Sequence, residues 1–196
     1  MDDKLIWYKE NSIDTSFCEH VINKFENDSR KSAGCIGSNK PVIDKTIKDT
    51  HDLPISNLPD WKEEDEIFYK ALQEGLKEYM NYLTEKHYRC VPNTNYKTSD
   101  TGYKIQRYEP EGFYDWHNDW VMDIDHGSRI FVFMWYLNTL KIEDDGYTEF
   151  LGGKTIYPKC GRLMFFPATW TYVHRGYRPR VRKYLCNGWI YAKIPD

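Results

Sequence analysis

Short apolar segments separated by turn-forming residues fill the second half of the chain, and this pattern limits the possible fold more than any other feature. After residue 95, stretches rich in Tyr, Phe, Ile, Val and Trp alternate with Gly, Pro and Asp. Such stretches are typical of β-strands, which we predict near 103–108, 114–120, 129–137, 147–151, 153–157, 161–166, 171–174 and 182–192. Because no long helical segment lies between them, they predict a sandwich or a barrel.

The first half of the chain carries two amphipathic helices. Asp14 is placed to cap a first helix over TSFCEHVINKFEN, in which apolar residues recur at helical spacing. A second helix is predicted from about Trp61 to Lys86, with acidic residues in its first turns, where the helix dipole favours negative charge. The segment between them, residues 34–56, is rich in turn formers and indicates strand and mobile loop.

Length and composition indicate one domain that combines these two halves. A chain of 196 residues with 40% hydrophobic residues can form one sizeable core. Residues 1–95 would supply helical support, and residues 96–196 the strand-rich core. Five scattered cysteines without a CxxC pair, no signal-peptide pattern and no apolar run long enough to span a bilayer favour a cytoplasmic protein without a membrane partner.

The distribution of charge bears on the kind of partner. A formal charge of -3 argues against extensive wrapping of nucleic acid. Residues 109–149 nevertheless carry ten acids and two bases, whereas residues 154–196 carry nine bases and one acid. Local electrostatic fields are therefore expected to matter more than the net charge.

The stretch FYDWHNDWV, residues 113–121, sets a histidine and an aspartate two positions apart among aromatic residues. On a strand, His117 and Asp119 would point to the same face, with Asn118 and Tyr114 directed elsewhere. An HxD pair by itself more often caps a turn, so a metal site needs a third ligand, for which His174 in TYVHRG is the candidate. Two imidazoles and one carboxylate that leave coordination positions open are associated with non-haem Fe(II) oxygenases.

The stretch HRGYRPRVRKYLCNGWIYA, together with the HxD pair and His174, resembles the prolyl 4-hydroxylase-like family of Fe(II)/2-oxoglutarate dioxygenases, especially its short single-domain bacterial and viral members. The resemblance runs from about Tyr103 to Tyr191. It implies a mainly β fold with N-terminal helices around a double-stranded β-helix (jelly-roll, cupin-like) core. It also implies that His117, Asp119 and His174 are the metal ligands of the catalytic centre, and that residues 34–56 form a lid over the substrate cleft.

Further site residues are implied by the resemblance, position by position. Lys183 of KYLCNGW would bind the distal carboxylate of 2-oxoglutarate, and Tyr136 of WYLN would give its hydroxyl to the same carboxylate. Tyr108 of RYEPEG would flank the co-substrate from the opposite wall, and Arg129 and Trp189 would line the substrate pocket. Each of these residues taken alone is more often a core aromatic or a solvated charge.

The spacing from His174 to Lys183 is one residue shorter than in the collagen-type members of the family, so Arg182 or Arg180 could compete for the carboxylate. Strand alternation argues against Arg182. If Lys183 and Trp189 share one face with the residues at 185 and 187, Arg182 points to the other face.

The resemblance implies that Fe(II), 2-oxoglutarate and dioxygen, with ascorbate in a supporting role, convert a C–H bond to a hydroxyl and release succinate and CO2. Proline in a peptide or protein is the first expectation for the substrate. Three alternatives stay open: a dioxygenase acting on nucleic acid, prompted by the five bases of RGYRPRVRK at 175–183; one acting on a free amino acid or small molecule; and a non-catalytic metal-binding barrel.

Overall fold

The structure is a computed structural model that describes residues 4–37, 40–87, 97–123 and 127–193. It contains two α-helices, α1 (Thr15–Asn27) and α2 (Lys62–His87). The strands are β1 (Trp7–Lys9), β2 (Ser32–Ala33), β3 (His51–Pro54), β4 (Lys97–Asp100), β5 (Lys104–Tyr108), β6 (Tyr114–His117), β7 (Met122–Asp123), β8 (Gly127–Tyr136), β9 (Thr148–Phe150), β10 (Thr155–Ile156), β11 (Leu163–Pro167), β12 (His174–Gly176) and β13 (Lys183–Lys193).

The strands form two antiparallel sheets. The larger sheet has the order β1-β11-β8-β13-β5-β3-β2, with β4 paired to β13 and β7 paired to β8. The smaller sheet has the order β10-β9-β12-β6. The expected mainly β architecture with helices on the N-terminal side is therefore confirmed.

Strand alternation divides the core into two layers on either side of the larger sheet. In β8, every second side chain belongs to the layer that contains the helices, namely Phe131, Phe133 and Trp135. The residues between them belong to the layer inside the barrel, namely Val132, Met134 and Tyr136. Because successive side chains of a strand face opposite ways, one apolar strand can serve both layers.

The two helices cover the outer face of the larger sheet. Phe68 of α2 packs against Trp135 with ring centroids 5.2 Å apart, and Tyr79 stacks on Phe165 at 5.1 Å. Glu64 in the first turn of α2 is buried and accepts a hydrogen bond of 2.8 Å from Lys24 of α1, which ties the helices together. In the described parts of the chain, no helix is both long and apolar enough to cross a membrane.

The N-terminal half also contributes strands, of which β3 lies in the segment 34–56 where strand and loop were predicted, whereas β1 was not predicted. β1 pairs with the edge strand β11, and β3 pairs with β5, so residues before position 60 extend both ends of the larger sheet. Both strands are short, and the sequence of β3, HDLP, has no apolar alternation. These segments are strands because they pair with the longer strands β11 and β5, and not because of their own sequence pattern.

The close contact between α2 and β11 generates a stability prediction. A Cβ atom on buried Gly75 would lie 2.3 Å from Leu163 Cδ2 and 3.3 Å from Phe165 Cε2. Gly75→Leu should therefore lower the free energy of unfolding by about 1–3 kcal/mol, the usual cost of overpacking, in urea denaturation. Glu74→Leu, at the exposed neighbouring position, should change it by less than about 0.5 kcal/mol. Equal stability of the two variants would contradict this packing.

Candidate metal and co-substrate site

Two adjacent strands of the smaller sheet bring the proposed metal ligands together. His117 ends β6, His174 begins β12, and the two are directly paired across the strands. Their ring centroids lie 4.2 Å apart, and His174 Nε2 lies 3.4 Å from Asp119 Oδ2. One ligand atom from each of the three residues lies within 4.8 Å of the others. The three side chains can therefore hold one ion.

Backbone carbonyls orient both imidazole rings. His117 Nδ1 lies 2.7 Å from the carbonyl oxygen of Asp115, and His174 Nδ1 lies 3.0 Å from that of Tyr172. Because a carbonyl oxygen only accepts hydrogen bonds, each Nδ1 carries a proton, and each Nε2 is the ring nitrogen left to bind a metal. Two lone pairs and a carboxylate facing one another without an intervening donor fit a cation, and this donor set is the one that non-haem iron uses.

The ionisation states agree with this fit. Burial, reinforced by the neighbouring His174, lowers the pKa of His117 to about 3, so this ring is neutral at physiological pH. Burial alone would raise the pKa of Asp119, but electrostatic interactions with His174, His117 and Arg129 hold it below its ordinary value. The aspartate therefore carries a negative charge in a buried position, where an uncompensated charge is costly.

The local geometry differs from the expected strand in one respect. β6 ends at His117, so strand alternation does not place Asp119, which lies in the following loop. The expectation that Tyr114 points elsewhere was wrong: its ring stacks on His117 at 3.5 Å and 12°. The reason is an irregular register, since β6 has three steps between these residues where β12 has two between His174 and Gly176. Such a bulge redirects side chains.

A buried lysine lies in the same cavity as the candidate metal ligands. Lys183 is fully buried at the start of β13 and lies 3.9 Å from the centre of the Tyr108 ring. Its Nζ donates a hydrogen bond of 3.0 Å to the carbonyl oxygen of Gly146, and no carboxylate in the described ranges pairs with it. Burial lowers the pKa of Lys183 to about 7. A buried ammonium without a counter-ion is suited to bind an anion.

The cavity itself has a volume of about 640 Å³ and contains both groups. Every second residue of β13 from Lys183 to Trp189 lines it, together with Tyr108 from the neighbouring strand. Arg182 is exposed and bonds instead to Glu109, with Nε 2.9 Å from Oε2. The side chains of β13 thus follow the alternation that the sequence predicts.

Tyr136 is the predicted co-substrate residue that the structure does not bring to the cavity wall. Its buried hydroxyl lies 2.7 Å from Thr148 Oγ1 and 3.2 Å from the carbonyl oxygen of Ile156. Thr148 itself lines the cavity beside Lys183. Sequence reasoning missed this threonine, although its two-residue spacing from buried Phe150 in β9 is a signal for an inward-facing position.

Arg129 and Trp189 form a second part of the wall. The guanidinium carbon of Arg129 lies 3.8 Å from the centre of the Trp189 ring, and Arg129 Nε donates to the Tyr191 hydroxyl at 3.0 Å. Arg129 Nη1 also lies 3.4 Å from the backbone oxygen of Asp119. Arg129 is therefore part of the cavity wall next to the candidate metal ligands, and not a surface charge.

The uneven charge of the sequence is explained by ion pairs across the fold. Arginines of the basic segment 175–183 bond to acids of the segment 109–149, in the pairs Arg175–Glu149, Arg180–Asp145 and Arg182–Glu109. Arg178 Nη1 donates to the carbonyl oxygen of Glu111. The basic segment is therefore largely engaged within the protein.

Comparison with known proteins agrees with this geometry. Residues 103–191 match the family model of the 2OG-Fe(II) oxygenase superfamily. The structure is similar to a viral collagen prolyl hydroxylase from Paramecium Bursaria Chlorella virus-1 solved with 2OG (19% identity, 98% of each chain covered, TM-score 0.67). It is also similar to a Pseudomonas putida prolyl-4-hydroxylase (14% identity, 96% of this chain and 93% of that one, TM-score 0.67).

A third similar structure is a Trichoplax adhaerens prolyl hydroxylase in complex with a peptide fragment of the hypoxia inducible factor oxygen degradation domain (17% identity, 97% of this chain and 84% of that one, TM-score 0.71). A search of curated proteins finds no match. The predicted double-stranded β-helix core is confirmed by these similar folds.

The convergence of three ligands predicts that a divalent metal stabilises the fold. Mn(II) at about 100 times its Kd should add about 2.7 kcal/mol, which for a domain of this size raises the Tm by roughly 5–10 °C. His174→Ala should remove most of this increase, whereas His20→Ala, on α1 and away from the site, should keep it. Thermal denaturation with and without Mn(II) measures both; an unchanged increase in His174→Ala would exclude His174 as a ligand.

Proposed function

We propose that this chain, an Fe(II)- and 2-oxoglutarate-dependent dioxygenase by its match to that superfamily, hydroxylates a proline residue in a peptide or protein. The observation that carries the proposal is the presence of two complementary half-sites in one cavity. One is a cluster of two imidazoles and a carboxylate, and the other is the buried ammonium of Lys183, which pairs with no carboxylate of the described residues. A metal fits the first and an anion fits the second.

In this proposal, His117, Asp119 and His174 hold Fe(II), and Lys183 holds the distal carboxylate of 2-oxoglutarate. When bound together, iron and 2-oxoglutarate supply the activation of dioxygen that oxidises a C–H bond and releases succinate and CO2. We assign to the protein the tasks of orienting the ligands and excluding water. The Nδ1 hydrogen bonds of both histidines fix the rings before any metal arrives.

The wall around Lys183 supports its role as the anchor. The Tyr108 ring covers the ammonium on one side, and the carbonyl oxygen of Gly146 accepts a hydrogen bond from it. The remaining donors can serve a carboxylate, and Thr148 adds a hydroxyl at the cavity wall. Tyr136 acts in this scheme by orienting the Thr148 hydroxyl, to which it is bonded at 2.7 Å. Apolar neighbours such as Met134 and Leu185 keep this end of the cavity dry.

Proline is the proposed residue at the reacting position because of the wall formed by Arg129 and Trp189. A flat indole face held by a guanidinium at 3.8 Å suits a small apolar ring. Two of the similar proteins, a collagen prolyl hydroxylase and a prolyl hydroxylase with a bound peptide, support the same class of substrate. Cys35, Gly37 and Pro41 also line the cavity, which supports the proposal that residues 34–56 cover bound substrate.

Nucleic acid is the weaker alternative because the arginines that suggested it are occupied. Three of them pair with acidic side chains at 2.6–3.1 Å, and the guanidinium of Arg178 lies over the Phe113 ring at 3.8 Å. Binding of phosphates would have to compete with these contacts.

The central test is a coupled product measurement. With Fe(II), 2-oxoglutarate and dioxygen, wild-type protein should add one oxygen atom to proline-containing peptides and form an equal amount of succinate, both followed by mass spectrometry. His174→Ala should form neither product, because two remaining ligands hold the metal weakly, and His20→Ala should form both. Succinate without any hydroxylated peptide would point to a small-molecule substrate, and no succinate at all would indicate a non-catalytic barrel.

The lowered pKa of Lys183 predicts how co-substrate affinity depends on pH. The ammonium form binds 2-oxoglutarate, so above a pKa of about 7 binding must restore a proton, and the Kd should rise by up to about tenfold per pH unit. Lys183→Met should weaken binding about 10–100-fold, the usual worth of charge-assisted hydrogen bonds, and should abolish this pH dependence. Calorimetry under nitrogen with Mn(II) measures both effects.

Arg182→Met is the matched control for that measurement, since Arg182 is the adjacent base on the opposite face of β13. Its Kd and pH profile should equal those of the wild type. A loss of affinity in Arg182→Met with none in Lys183→Met would transfer the anchoring role to the arginine.

A further inference from the structure

A second lysine lines the cavity, away from the proposed co-substrate anchor. Lys104 begins β5, directly opposite Asn187 of β13, and its Nζ lies 5.2 Å from the centre of the Trp189 ring. Arg129 lies over the same ring at 3.8 Å. Two cations therefore flank the Trp189 indole, which we propose as part of the wall of the substrate pocket, and both cations line the cavity.

Asp52, whose carboxylate lies close to Lys104, already accepts hydrogen bonds from three other donors. Asp52 Oδ2 accepts hydrogen bonds from Lys48 Nζ at 2.7 Å and Gln106 Nε2 at 2.8 Å, while its Oδ1 accepts the Thr50 hydroxyl at 2.8 Å. Lys104 Nζ lies 3.7 Å from the same Oδ2, which is beyond hydrogen-bond length. Lys104 is thus attracted electrostatically by Asp52 but donates no hydrogen bond to it.

A count of the charges on the described lining residues, with Fe(II) and 2-oxoglutarate added, leaves two positive charges in excess. Asp52 and Asp119 are the acids among the described lining residues. Asp52 is matched by Lys48, and Asp119, Lys183, Fe(II) and doubly charged 2-oxoglutarate cancel one another. Lys104 and Arg129 then face the substrate space without a balancing carboxylate, and a charge held in a partly dry cavity favours a ligand of opposite sign.

We propose that the substrate presents a carboxylate beside the reacting carbon and that Lys104 binds it. This inference rests on the proposed function, because it requires that the substrate binds in this cavity. The carboxylate could be an aspartate or glutamate side chain close to the target proline in a peptide, or the α-carboxylate of a free amino acid. Burial lowers the pKa of Lys104, although the negative charge of Asp52 acts in the opposite direction. A substrate carboxylate bound at Lys104 would therefore favour its protonated form.

The test compares ligands that differ in one charge. The peptide arm uses capped seven-residue alanine peptides with a central proline and either aspartate or asparagine at one position within two residues of it. The amino-acid arm uses L-proline and L-prolinamide. Binding is measured by calorimetry under nitrogen with Mn(II) and 2-oxoglutarate, so that no turnover occurs, and hydroxylation is measured separately by mass spectrometry in air with Fe(II).

The wild type should bind the acidic member of at least one pair about tenfold or more tightly than its neutral partner, as expected for a charge-assisted hydrogen bond. Lys104→Met should reduce that preference to less than about twofold, with the affinity for the neutral ligand and for 2-oxoglutarate unchanged. Lys97→Met, at an exposed lysine of β4, should behave as the wild type. Lys104→Gln provides a second variant should Lys104→Met unfold, which a thermal melt would reveal.

Equal binding of acidic and neutral partners by the wild type, or a preference that survives in both Lys104 variants, overturns the inference. A preference seen in the peptide arm assigns the carboxylate to a side chain, and one seen in the amino-acid arm assigns it to a free amino acid. Hydroxylation of neutral and acidic peptides alike would reject the inference and keep the proposed function. Binding of acidic peptides that depends on Lys104 but leads to no hydroxylation would support the inference and reject the proposed function.

Discussion

The barrel keeps a carboxylate and an ammonium in one cavity without letting them pair, and the rest of the structure depends on this constraint. Asp119 is directed at two imidazoles, whereas Lys183 lies against the Tyr108 ring and a backbone carbonyl. Each charge is buried, and removing a charge from water costs several kcal/mol unless a partner compensates it. The fold therefore tolerates two unfavourable groups whose natural partners are a cation and an anion from outside the chain.

The stability that offsets this cost comes from the other side of the larger sheet. The aromatic side chains of β8 and β11 that face the helices pack in a continuous apolar layer with Phe68 and Tyr79. Burial of each large aromatic side chain contributes about 1.5–3 kcal/mol. Because alternation separates this layer from the cavity, the inner face of the same strands can carry polar and charged groups without interrupting the main core.

Much of the fold and part of the site could be predicted from sequence because both follow local periodicity. The apolar runs of β8, β11 and β13 identify strands by their own composition, and the two-residue period of β13 sends Lys183 and Trp189 to one face. Two features depend on pairing between strands that are distant in sequence, and a local sequence pattern could not predict them. The irregular register opposite His174 turns Tyr114 onto His117, and β1 is a strand only because β11 accepts it.

Charged residues in polar segments were the hardest to predict. Lys48 and Asp52 stand in a stretch of mixed polar residues and have the sequence signature of a solvated loop, yet the structure buries both and joins them at 2.7 Å. Long-range pairing, of β3 with β5 and of Lys48 with Tyr114, brings this segment to the cavity wall. The same limitation applied to Tyr136, since no sequence pattern shows that Thr148 lies between its hydroxyl and the cavity.

Lys183 and Lys104 differ in what surrounds them, and this difference separates their proposed roles. Lys183 lies against a ring and one carbonyl, and no carboxylate in the described part of the chain pairs with it, so its charge is available to an anion. Lys104 shares the field of Asp52 at 3.7 Å, which reduces its attraction for any second carboxylate. A dianion should therefore settle at Lys183 in preference to Lys104. The cavity can thus hold the co-substrate in one orientation while leaving the weaker cation for the substrate.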